Sequence, residues 1–100
     1  MYKKFTIFLG LNDKITKKQE IETPAAIEIL ARYLKDATIT EATGFYTHDD
    51  GTFVIEKTLK IEKIDFNGAF NMDRAAADLK QIFNQEAIAV EFSEVNSQLM

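Results

Sequence analysis

The side chains best suited to chemistry gather at His48-Asp49-Asp50-Gly51, where the only histidine of the sequence stands beside two carboxylates. Imidazole and carboxylate are common metal ligands, and imidazole is the most frequent general base. Consecutive residues of a tight turn do not converge on one ion, however, and a histidine at a loop tip has no partner to orient it. Asp50-Gly51 reads instead as a hairpin turn, because glycine accepts the positive φ that such loops demand. Glu56 and Glu62 lie six positions apart on one strand, roughly 20 Å by strand rise, too far for a working carboxylate pair. Gln85-Glu86 falls at a helix-to-strand junction, where polar loop residues can meet a ligand. There is no glycine-rich phosphate loop and no nucleophile elbow. Gly10-Leu11-Asn12-Asp13 offers acid where a phosphate cradle after the first strand would need arginine. With no cysteine in the chain, disulfides, thiol nucleophiles and thiolate metal sites are excluded. The expectation is no catalytic residue, no metal and no cofactor.

The elements that would position these groups follow from periodicity. Residues 4–10 alternate, with Phe5, Ile7 and Leu9 on one side and Lys4, Thr6 and Phe8 on the other, which predicts a strand. Residues 14–22 fit either an irregular lead-in or an early helical turn. Thr23 can cap a helix and Pro24 suits its first position. Ile27, Leu30, Ala31 and Leu34 then form an apolar stripe ending near Asp36. Residues 38–47 and 52–64 are predicted strands joined at the Asp-Gly turn. On the second of them Phe53, Ile55, Leu59 and Ile61 face the core, and Glu56, Thr58, Lys60 and Glu62 face away. Lys57 falls on the apolar side, which calls for a bulge or for a lysine stem lying over the core. Asn71 or Asp73 can cap a second helix over residues 72–84, with Met72, Ala76, Leu79, Ile82 and Phe83 inward. Residues 87–92 make a last strand, and 93–100 a fraying tail.

This β-α-β-β-α-β order predicts a single α+β domain over residues 1–100, a ferredoxin-like sandwich. Its four-stranded antiparallel sheet has the order 4-1-3-2, with two helices on one face. The other face is bare and carries Thr6, Phe8, Ala42, Gly44, Tyr46, Val54 and Glu56. Phe8, Tyr46 and Val54 form an apolar patch there, suited to a partner or to self-association. The length of 100 residues suits one domain, and 46% hydrophobic with 28% charged residues is an ordinary globular balance. A net charge of −4 argues against nucleic acid, whose binders need a basic face. The apolar run after Lys3-Lys4 is too short for a signal peptide or a membrane span, so the expected location is the cytoplasm. Ten of the twelve basic residues are lysine and eleven residues are isoleucine, a bias common in AT-rich coding such as that of phages and mobile elements.

Three pieces in order resemble a family of short bacterial proteins grouped only as a domain of unknown function. They are Phe8-Leu9-Gly10-Leu11, then Gly44-Phe45-Tyr46 with Asp50-Gly51 and Glu56, then Phe83-Asn84-Gln85-Glu86-Ala87-Ile88. The sequence departs from that family in having Tyr46 where tryptophan is usual, and in lacking a proline-rich segment after the first helix. The resemblance implies the same α/β topology, no stated activity, and Tyr46, Glu56, Gln85 and Glu86 as positions of interest.

The resulting functional expectation is a small non-enzymatic binding or inhibitor protein, phage- or mobile-element-encoded and acting on a host protein. Its binding candidates are Phe8, Tyr46, Glu56, Gln85 and Glu86, and its partners a host protein or a second copy of itself through the open face. The alternative is a dimeric small-molecule-binding domain or enzyme with a pocket on the open sheet face. A cavity on which Tyr46, Glu56 and Gln85 converge would favour that alternative.

Overall fold

The computed structural model describes all residues, 1–100. Its elements run β1 (Tyr2–Gly10), α1 (Thr23–Leu34), β2 (Thr38–Thr47), β3 (Phe53–Asp65), α2 (Met72–Ile82) and β4 (Ala89–Val95). The sheet order is β2-β3-β1-β4 with every neighbouring pair antiparallel. This is the expected ferredoxin-like α+β fold, with the β1 and β3 strands central because their alternating apolar residues must be covered. Ile7 and Leu9 of β1 meet Leu59 and Ile61 of β3 under Ala26, Leu30 and Leu34 of α1 and Leu79 and Phe83 at the second helix. No helix is long and apolar enough to cross a membrane.

Several local expectations need correction. The α1 stripe is rotated, so that Ala26 is buried and Ala31 exposed. In α2, Ala75 is buried in place of Ala76, and Ile82 is exposed. Thr23 does not cap α1; Glu22 holds the cap position without a side-chain bond, and the Thr23 hydroxyl accepts from Gln19 Nε2 at 3.1 Å. Of the two candidates for the α2 cap, Asn71 holds it, accepting from the Arg74 N–H at 3.0 Å, and Asp73 lies in the first turn. Residues 14–22 are irregular, folded back by Asp13, whose carboxylate accepts the N–H groups of Ile15 and Thr16. β4 extends through Val95, which pairs with Tyr2, so the tail is shorter than expected.

The β2–β3 hairpin outreaches the rest of the sheet. The β1–β3 register stops at Gly10↔Thr58, whereas β2 and β3 pair without a bulge as far as Thr47↔Phe53. The Leu11 N–H still reaches the Lys57 carbonyl at 3.0 Å, and beyond that bond the hairpin is a two-stranded ribbon with no helix over it. That is why Phe53 and Ile55 lie on the predicted face and yet are 58% and 61% exposed. Lys57 needs no bulge, because on this uncovered ribbon its ammonium pairs with Glu41 at 3.2 Å. The turn itself is the expected one, with Gly51 at φ +88° and the Gly51 N–H donating to the His48 carbonyl.

Two charged side chains on the covered face of β3 are buried, Asp65, whose carboxylate accepts the Phe70 N–H at 3.1 Å, and Lys63. The Lys63 ammonium donates to the carbonyls of Leu34 and Asp36 and to the Asp36 carboxylate, at 3.1, 3.0 and 2.8 Å. It thus satisfies the C-terminus of α1, where a cation is favoured. The core is expected to be sensitive to truncation. Leu30→Ala or Leu79→Ala, each at a fully buried position, is expected to cost about 2–5 kcal/mol. Chemical-denaturation midpoints measure this, and unchanged midpoints for both would reject the packing described.

Candidate functional site

The open sheet face is built by residues that alternate out of the core. Pairing places Tyr46 opposite Val54, Gly44 opposite Glu56, Ala42 opposite Thr58 and Phe8 opposite Lys60. Part of this face is closed by its own side chains, since Thr6 and Thr58 are buried and Lys4 bridges to Glu62 at 2.6 Å. What stays open is a cleft of about 1260 Å³ between the hairpin, the loop after β1 and the α2–β4 junction. Phe8, Tyr46, Glu56, Gln85 and Glu86 all line it. Tyr46, Glu56 and Gln85 thus converge on one cavity.

Glu56 occupies the centre. Its carboxylate lies over Gly10 so closely that a Cβ there would come within 2.6 Å of Glu56 Cδ. From that seat Oε2 accepts the Asn12 N–H at 3.0 Å. A half-buried carboxylate held by a backbone donor has one oxygen engaged and the other available to a ligand. Tyr46 is near enough that Glu56 and Glu86 add to the effect of burial, and together they hold its phenol above the usual tyrosine range. The Tyr46 hydroxyl therefore stays protonated at neutral pH and can donate a hydrogen bond, while its ring meets His48 edge-on at 5.1 Å.

The α2–β4 junction forms the opposite wall. Asn84 adopts left-handed φ of 49° as the helix ends, a conformation that asparagine tolerates. Its side chain donates to Asp13 at 2.9 Å, and its carbonyl accepts the Lys14 N–H at 3.0 Å. Gln85 Nε2 donates to the Asn12 carbonyl at 2.7 Å. The Asn84 bond, with the N–H groups of Ile15 and Thr16, holds the Asp13 carboxyl below the usual aspartate range.

The charge of the cleft is acidic. Asp13, Asp49, Asp50, Glu56 and Glu86 outnumber Lys14 and Lys17, which suits a ligand bearing positive charge. No group of three or more His, Cys, Asp or Glu side chains is arranged to hold a metal. The turn residues His48 and Asp50 belong to the cleft wall, where Asp50 accepts the Thr52 N–H at 2.9 Å.

No protein-family model and no curated protein matches the chain. Among solved structures it is similar to a phage SAM lyase in complex with S-methyl-5′-thioadenosine. The two are 28% identical with a TM-score of 0.66, over 93% of this chain and 81% of that one. It is also similar to a phage SAM lyase in the apo state, at 25% identity and a TM-score of 0.70, over 91% of this chain and 78% of that one. Both neighbours are enzymes.

They overturn the expectation of a non-enzymatic binding or inhibitor protein and the leaning away from catalysis. The alternative, a ligand-binding domain or enzyme with its pocket on the open face, accords better with them. The overturned expectation rested on the absence of nucleophiles, metal sets and phosphate loops from the sequence. Asn12 and Gly10 were missed as parts of the site because only the β1–β3 register brings them beside Glu56. The positional signal for Glu56 was present, in its alternation onto the bare face.

Proposed function

We propose that this cleft binds S-adenosylmethionine and breaks the bond between its sulfur and the Cγ of the amino-acid chain, releasing S-methyl-5′-thioadenosine. The observation that carries this reading is a cleft centred on a seated glutamate and a protonated tyrosine, in a chain similar over 93% of its length to a phage SAM lyase holding that thioadenosine. Phe8 and Tyr46 offer aromatic surface for the nucleoside, while Glu56 and Glu86 supply the negative field that a sulfonium seeks.

The bond electrons leave with sulfur, and the sulfonium becomes a neutral thioether. The four-carbon remainder meets the deficit at Cγ in one of two ways. A base removes a Cβ proton, giving an alkene, or the substrate's own carboxylate oxygen bonds to Cγ, giving a lactone. Positive charge on sulfur fades as the bond breaks. A carboxylate facing it therefore stabilises the bound substrate more than the transition state, and contributes through binding and orientation or as a base. Loss of charge also weakens the hold of the acidic cleft on the thioether product, which favours release.

Incubating the purified protein with S-adenosylmethionine and following it by chromatography with mass detection tests the reading. The thioadenosine is expected to accumulate in step with loss of the sulfonium. Unchanged substrate, or S-adenosylhomocysteine as the product, would overturn it. Binding without turnover would also overturn the catalytic reading and leave a ligand-binding domain.

A further inference from the structure

Gln85 lines the cleft, yet its amide has little left to give a ligand. Both N–H bonds of Nε2 are spent on backbone carbonyls, at 2.7 Å to Asn12 and 3.2 Å to Phe83. Asn12 is the same residue whose N–H holds Glu56 at 3.0 Å. Two further bonds pin the loop beside it, from the Asn84 side chain to Asp13 and from the Lys14 N–H to the Asn84 carbonyl. The Asn12 backbone is thus fixed on its carbonyl side by a residue 73 positions away, and it fixes on its amide side a carboxylate 44 positions away.

Resting on the function proposed above, we infer that Gln85 is a positioning residue, acting on the substrate only through Asn12 and the Glu56 carboxylate. The α2–β4 junction thereby sets where Glu56 stands over Gly10. Without the Gln85 amide, the peptide plane that carries the Asn12 carbonyl keeps only the Asp13 N–H bond to the Lys18 carbonyl. The adjoining plane, joined to it at the Asn12 Cα, is free to shift with it. The Asn12 N–H then no longer points at a fixed place, and Glu56 samples orientations that are unproductive. Misplacement of a reacting group by an ångström is enough to cost an order of magnitude or more.

The test is Gln85→Met, which keeps length and volume and removes the donor, measured alone and with Glu56→Gln. Alone it is expected to lower kcat for thioadenosine release about tenfold with KM changed less than about twofold. In the Glu56→Gln background its effect is expected to shrink to less than about twofold, because the seat remains but holds no carboxylate whose misplacement could cost turnover. The same loss in both backgrounds, or a loss confined to KM, would overturn the inference and return Gln85 to direct contact with the ligand. The Asn12 amide resonance in proton–nitrogen NMR gives a readout that needs no turnover. It is expected to move upfield in Gln85→Met as its hydrogen bond loosens, and an unmoved resonance would overturn the relay. Absence of any thioadenosine from the unaltered protein would defeat the proposed function instead, leaving the NMR result to decide the relay alone.

Discussion

Glu56→Gln is expected to lower kcat/KM for S-adenosylmethionine by roughly 10²–10³-fold while the protein remains folded. The substitution is close to isosteric, and the residue sits on the open face outside the hydrophobic core. The amide oxygen of glutamine can still accept the Asn12 N–H, so the seat over Gly10 survives. What disappears is the charge and the ability to take a proton. Loss of the charge alone weakens ground-state attraction to the sulfonium and raises KM. Loss of a base lowers kcat. Steady-state rates at saturating and limiting substrate separate the two effects, and the identity of the four-carbon product, alkene or lactone, then says whether a protein base is required at all. Activity within threefold of the unaltered protein would remove Glu56 from the reaction.

The fold was legible because its strongest signals are local. Alternation in β1 and β3, the Asp50-Gly51 turn and the Asn71 cap each follow from short-range chemistry, and right-handed crossovers leave one topology that joins them. The errors arise where a partner elsewhere decides. Ala26 displaces Ala31 in the core because the rotation of a helix about its axis is set by the sheet beneath it, and alanine gives little preference of its own. Phe53 and Ile55 alternate correctly, but no periodicity reveals that α1 and α2 stop short of the hairpin and leave these side chains uncovered.

The site divides along the same line. Tyr46 and Glu56 could be placed on the bare face from spacing alone. Their gathering with Gln85 into one cleft depends on how far the hairpin outreaches β1 and on the loop after Gly10 being tied to the α2–β4 junction. The proposed reaction leaves no sequence motif for a chemical reason. Searches for function in sequence rest on groups that activate a poor reaction, and a substrate with a sulfonium leaving group asks mainly for orientation. A carboxylate, a phenol and a backbone N–H do not form a motif until the fold assembles them.

Gly10→Ala tests that assembly from the other side. Glycine at this position is required by the approach of Glu56, not by backbone conformation, since Gly10 is not among the residues with positive φ. A methyl group there would overlap Glu56 Oε1 and lie 2.6 Å from its Cδ, so the carboxylate must leave its seat. The atoms in the way are the far end of a flexible side chain that can swing toward the open cleft. The strand pairing Gly10↔Thr58 can therefore persist, and the stability cost is expected to stay near the roughly 1 kcal/mol of one lost hydrogen bond. Activity should respond far more strongly, falling by roughly 10²-fold as Glu56 loses both the Asn12 donor and its fixed position. Thermal melting and thioadenosine release measured on the same preparation separate the two effects. A variant that melts normally and turns over normally would show that the seat over Gly10 plays no part in the reaction, whereas normal melting with lost turnover would identify the glycine as part of the site, through the space it leaves for a carboxylate.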